Sequence, residues 1–136
     1  MESNNYRDLA MAWITRASEL LDDAKLLLEK GSFASANNRA YYALEKICTG
    51  LLASMEILSK SHRGVISQFN QYVVNNDKTP FDSEDYKIVA RAETIRSKSD
   101  YDDFYIVNKE ETKLLIENTE KFILKANEYL NSQLDM

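Results

Sequence analysis

Three glycines and one proline in 136 residues leave little with which to turn corners. That scarcity starves any architecture built from many short strands and tight hairpins, and favours long helices. Cysteine and histidine are rarer still, at one each. A lone Cys48 excludes an internal disulfide and a multi-cysteine zinc site. With His62 as the only imidazole, a transition-metal centre lacks soft ligands, so neither a metal nor a cofactor is expected. No segment approaches the ~20 apolar residues that cross a bilayer. The opening stretch Met1 to Asp8 lacks the basic-then-apolar order of a signal peptide. The expectation is a cytoplasmic protein with no membrane partner. Phosphate-cradling glycine loops are also missing, which removes the ordinary kinase, NTPase and dinucleotide-binding readings.

What is present is ordinary in amount and informative in order. At 44% apolar and 29% charged, the chain has a globular composition, and 136 residues suit one domain spanning 1–136. Acids outnumber bases 22 to 17, and a net charge of −5 argues against a general nucleic-acid coat or a polybasic membrane binder. Residues 31–80 run the other way: Arg39, Lys46, Lys60, Arg63 and Lys78 stand against Glu45, Glu56 and Asp77, a local +2. This permits an anion-facing surface around the second helix and its exit, although scattered solvated charge gives the same count.

Apolar residues between Leu9 and Leu28 recur at helical spacing, and Gly31 can close that helix in the left-handed conformation, with Ser32 a candidate cap for the next. The stripe Phe33, Ala36, Ala40, Leu44, Ile47, Leu51 and Met55 predicts a second helix, antiparallel to the first, running to about Leu58. A shorter third helix opens near Ser61 and dissolves in the polar run 75–80, the only clear loop. Asp82 with Glu84 and Asp85 caps a fourth that fades near Ser99, and Asn108 with Glu111 resembles a capping box for a fifth. The reading is all-α: an up-and-down bundle of about five helices.

Two stretches depart from what a plain bundle needs. In Asn37-Asn38-Arg39-Ala40-Tyr41-Tyr42, adjacent tyrosines point ~100° apart, so one packs inside with its hydroxyl bonded while the other faces a helix end or a partner. After the fourth helix, Arg96 and Asp100 stand four apart, a spacing that pairs them and fixes a guanidinium where a phosphate can meet it. Asp100, Asp102 and Asp103 invite a calcium loop, but Phe104 and Tyr105 occupy the positions that need oxygen and glycine. His62, opening the third helix, could cap, stack or titrate, and has no Ser or Cys at a triad spacing.

Taken in order, Arg39-Ala40-Tyr41-Tyr42-Ala43, His62-Arg63-Gly64-Val65-Ile66 with Phe69 and Val73, and Arg96 with Ser99-Asp100-Tyr101-Asp102 resemble the HEPN superfamily over nearly the whole chain. The resemblance is to the stand-alone uncharacterised group related to the HEPN partners of minimal nucleotidyltransferases. It implies a five-helix bundle that dimerises, and a superfamily containing metal-independent RNases and toxins. Those RNases carry an Arg and then a His, with four to six residues between them. In this chain the corresponding positions after Arg96 hold Tyr101, Asp102 and Asp103. The expectation is therefore a homodimeric binding module for a nucleotide, an RNA or a nucleotidyltransferase partner, acting through Arg39, Tyr42, Arg96, Asp100 and Tyr101. Alternatives are a metal-independent toxin-type RNase with a non-standard site, and a purely structural interaction partner. Arg39 and Arg96 are expected to share one anion.

Overall fold

The stripe that begins at Leu9 lies on α1, Ser3–Glu29, in the computed structural model, which describes residues 3–102 and 104–134. Gly31 adopts φ 83°, and the turn is closed by its own N–H donating to Leu28 O at 3.0 Å and the Ser32 N–H donating to Leu27 O at 2.9 Å. Ser32 precedes α2, Phe33–Ser54, as expected, but its side chain makes no capping bond. Its N–H is held back toward α1 and its backbone is not extended, so the hydroxyl is not presented to the first helical amides.

Helix α2 stops at Ser54 rather than near Leu58. The closing pattern of α1 recurs: Glu56 donates to Ala53 O and Ile57 to Leu52 O, both at 2.9 Å, with Glu56 at φ 65°. A glutamate thus takes the left-handed position that glycine usually fills.

Small residues bring α1 and α2 together. Ala10, Ala17 and Ala24 on one and Ala36, Ala40 and Ala43 on the other are fully buried. At Gly50 a Cβ would sit 3.0 Å from the Ala10 carbonyl oxygen and 3.2 Å from Trp13 Cβ, so nothing larger fits without a shift. Cys48 is also fully buried, and burial, reinforced by nearby Glu45, pushes its thiol up; it packs as a small apolar residue.

Beyond a short connection lies α3, His62–Gln68, capped as expected by Ser61, whose hydroxyl accepts from the Gly64 N–H at 3.0 Å. The helix widens into a π-helical turn, Phe69–Val74, closed by Asn75 N–H to Asn70 O at 3.1 Å. Phe69 stacks with Phe81 and Phe122 at centroid separations of 5.8 and 6.3 Å, tying this turn to the fourth helix's approach and to the fifth.

Helix α4, Ser83–Tyr101, opens with a complete capping box: Asp82 accepts from the Glu84 and Asp85 amides while Asp85 accepts from the Asp82 N–H. The Asp85 amide leads in holding the Asp82 carboxyl below its ordinary range. Helix α4 fully buries only Val89 and Ala92. Helix α5, Lys109–Leu134, begins after Asn108, whose side chain accepts from the Glu111 N–H at 2.7 Å; the Glu111 carboxylate is taken by the Tyr105 hydroxyl at 3.0 Å. Among the described residues the architecture is all-α, a bundle of five helices with α2 at its centre. Asp103, one of the acids considered for calcium, lies outside the described residues.

Candidate functional site

The site starts from an acid where the helix needs none. Glu45 lies one turn after Tyr41 and three residues before Cys48, on the buried side of α2, and its side chain is 3% exposed. Such a carboxylate requires partners, because desolvation penalises an isolated charge heavily. It has them on both oxygens: the Tyr41 hydroxyl donates to Oε2 at 3.1 Å, and Oε1 lies 2.7 Å from His62 Nδ1. Lys46 Nζ adds a looser contact at 3.8 Å. Burial first, and the Glu45 charge second, push the Tyr41 phenol up, so it stays a donor.

His62 reaches Glu45 because α2 ends early and Ser61 starts α3 at once, folding the chain back over Tyr42. The Tyr42 and His62 rings meet edge-on with centroids 6.1 Å apart. From the other side comes Arg96 of α4, whose guanidinium lies 5.2 Å from the Tyr41 ring centre and 5.9 Å from that of Tyr42. Its Nη1 donates to Asp100 Oδ2 at 3.0 Å and reaches the Tyr42 hydroxyl at 3.5 Å, while Nη2 is 3.7 Å from Glu93. Its Nε is buried and has no hydrogen-bond partner among the described residues. Burial opposes this charge, but Tyr42, Tyr41, Asp100 and Glu93 together outweigh it and hold the group above its ordinary value.

These side chains open on one cavity of about 560 Å³, lined by Tyr41, His62, Arg63, Asn70, Arg96 and Tyr101 among others. The volume is that of a site for a small ligand. Two arginines and an imidazole at its wall outnumber the one lining acid, Glu93, and favour an anion, and Tyr101, 80% exposed, offers a stacking face at the rim.

Of the five residues singled out from the sequence, Arg96 and Tyr101 line this cavity. Tyr42 supports it, its one ring being approached by both the Arg96 guanidinium and the His62 imidazole. Asp100 clamps Arg96 and lines a second, shallower depression with Ser35, Asn38, Ser99 and Arg39. Arg39 is exposed and stands in that second depression, so the two arginines open on different hollows, with Asp100 between them. The inner and outer tyrosines are Tyr41 and Tyr42 respectively. Glu45, His62 and Arg63 were not among the five. The signal for Glu45 was its position: an acid on the same face as Tyr41, Leu44 and Cys48 has to be paired.

The sequence matches the HEPN domain family over residues 10–129, a span that contains every residue of the cavity. This chain belongs to the HEPN family. The HEPN domain is 36% identical over 111 residues to a UPF0332 protein of Thermotoga maritima, covering 82% of this chain and 83% of that one. It is 34% identical over 100 residues to a Methanocaldococcus jannaschii protein named "Putative toxin MJ0605", covering 73% of this chain and 72% of the other. A second protein of that organism, named "Putative toxin MJ0142", is 28% identical over 120 residues, covering 88% and 80%.

Proposed function

We propose that this HEPN domain is a binding module for nucleoside phosphates, in the form of a free nucleotide or short single-stranded RNA, within a toxin–antitoxin-like system. The observation that carries this reading is that Arg63, Arg96 and His62, from two different helices, line one cavity with an exposed tyrosine at its rim. Phosphate is met by the cations and a base stacks on Tyr101. With a net charge of −5 the surface offers bulk RNA little attraction, so affinity comes from these few contacts and is salt-sensitive. The names of the archaeal relatives support the toxin-like setting. A homodimer and a nucleotidyltransferase partner complete the proposal.

Fluorescence anisotropy with a labelled single-stranded RNA octamer, and calorimetry with AMP, test it. Arg96→Ala is expected to weaken both by about tenfold or more, the loss of a charge-assisted contact. Arg16→Ala, an exposed change on α1, leaves both intact. Arg39→Ala weakens the octamer alone if the strand continues past Asp100 into the second depression. Wild-type protein that binds neither probe at low salt would remove the reading.

One observation favours a second reading, a metal-independent endoribonuclease. His62 lines the same cavity as Arg96, so an imidazole is at hand although none follows Arg96 in sequence. An imidazole can move the proton of a ribose 2′-hydroxyl while a guanidinium steadies the phosphate. Cleavage of the octamer in EDTA, lost in His62→Gln, would establish it.

A further inference from the structure

We propose that Glu45 is the positioning residue of the cavity: it holds Nδ1 of His62, so that the doubly protonated ring donates its Nε2–H to a bound phosphate. The inference rests on the reading of the cavity as a phosphate-binding site and assigns how its imidazole is set.

Three observations converge on it. Glu45 is 3% exposed, whereas His62 is 66% exposed, so the contact at 2.7 Å joins a fixed buried group to one that solvent would otherwise leave free to rotate. An ion pair with so exposed a partner adds little to stability, and an apolar side chain at this point of α2 would avoid the desolvation altogether. Stability of the bundle therefore does not account for the acid. The carboxylate is itself immobilised, because the Tyr41 hydroxyl occupies its other oxygen at 3.1 Å. Against a carboxylate, Nδ1 can only donate, and the nitrogen bonded in this way sets which one remains for other partners. The remaining nitrogen is Nε2, on a ring that lines the cavity with Arg63 and Arg96. The edge-on contact with Tyr42 limits the ring's tilt. The chain runs from Tyr41 through Glu45 to His62, and Glu45, which is not among the lining residues, acts on what binds only through the imidazole.

His62 is the only histidine, so its imidazole gives one unambiguous set of signals in a long-range proton–nitrogen correlation spectrum. In the wild-type protein, at a pH where the ring is neutral, the expected form carries its proton on Nδ1. Glu45→Gln is expected to turn this into a mixture of tautomers and, at a pH where the ring carries both protons, to weaken the RNA octamer by about tenfold, as His62→Gln does. The double variant is expected to bind no more weakly than either single one, because both remove the same contact. His62→Gln alters an exposed side chain and keeps the fold. Should Glu45→Gln fail to fold, Tyr41→Phe decides through the spectrum, since Tyr41 itself lines the cavity: freeing one carboxylate oxygen is expected to broaden the tautomer distribution. A wild-type ring protonated on Nε2, a Glu45→Gln protein with the wild-type spectrum and affinity, a Tyr41→Phe protein with the wild-type spectrum, or additive losses in the double variant would overturn the inference. If Arg96→Ala abolishes binding while Glu45→Gln changes nothing, only this inference falls. If the wild-type protein binds neither probe, the site reading falls, and the spectrum still decides whether Glu45 sets the imidazole.

Discussion

Arg96 is held by shape as much as by charge. A planar guanidinium laid against two phenol rings and clamped by Asp100 cannot be replaced by an ammonium, which is compact, strongly hydrated and without a flat face. Arg96→Lys is therefore expected to lower the stability of the free protein by about 1 kcal/mol in urea denaturation. The same variant should recover little of the binding lost in Arg96→Ala. At this scale the sequence was readable wherever partners lie one turn apart. Arg96 and Asp100 are such a pair, and their spacing announced a contact now seen at 3.0 Å. Glu45 and His62 are 17 residues apart, and their contact depends on where α2 stops, which spacing within either helix cannot report. The separate placement of Arg39 has a similar cause: it lies two positions before Tyr41 on α2, a step of about 200° around the helix, and faces away from the cavity's inner wall.

Helix ends were legible where a polar cap does the work and illegible where backbone alone does it. Ser61, Asp82 and Asn108 each accept helical amides as their types suggest, because that chemistry is local. Gly31 likewise marks the end of α1. The end of α2 carries no such mark, since Glu56 adopts φ 65° against its intrinsic preference. Glu56→Gly removes that strain and is expected to stabilise the protein by about 0.5–1 kcal/mol, after allowance for the greater freedom of glycine in the unfolded chain. A thermal melt checks the sign. The π-helical turn after α3 was equally invisible, because nothing in Phe69 to Val74 distinguishes a five-residue hydrogen-bond step from a four-residue one. Its result is seen at the site, where Asn70 lines the cavity while Phe69 and Val73 are buried.

For the whole molecule, the all-α bundle followed from long helical stripes and few turn formers, and the five helices match that reading. Apolar side chains remain outside it: Leu26, Phe104, Ile106, Leu114 and Leu124 are each more than half exposed. Burying part of that surface in a homodimer predicts a light-scattering mass of twice 15.7 kDa, and a monomer at tens of micromolar would count against the dimer. The helices are also unequally anchored. Helix α2 is buried around most of its circumference, whereas α4 fully buries two side chains and is separated from α5 by a small groove lined by Ile88, Ile95 and Leu114. Free energies of local opening follow such differences, so the backbone amides of α4 should exchange with deuterium well before those of α2. The cavity thus has one wall on the most deeply buried helix and its principal cation on a weakly anchored one. An anion bridging Arg96 to His62 would tie α4 to α3 and, through the Glu45 contact, to α2, and protection should then rise along α4 from Val89 to Ser99 while α2 hardly changes. Occupancy of the cavity would be recorded in the order of one helix, far more than in any displacement of the bundle.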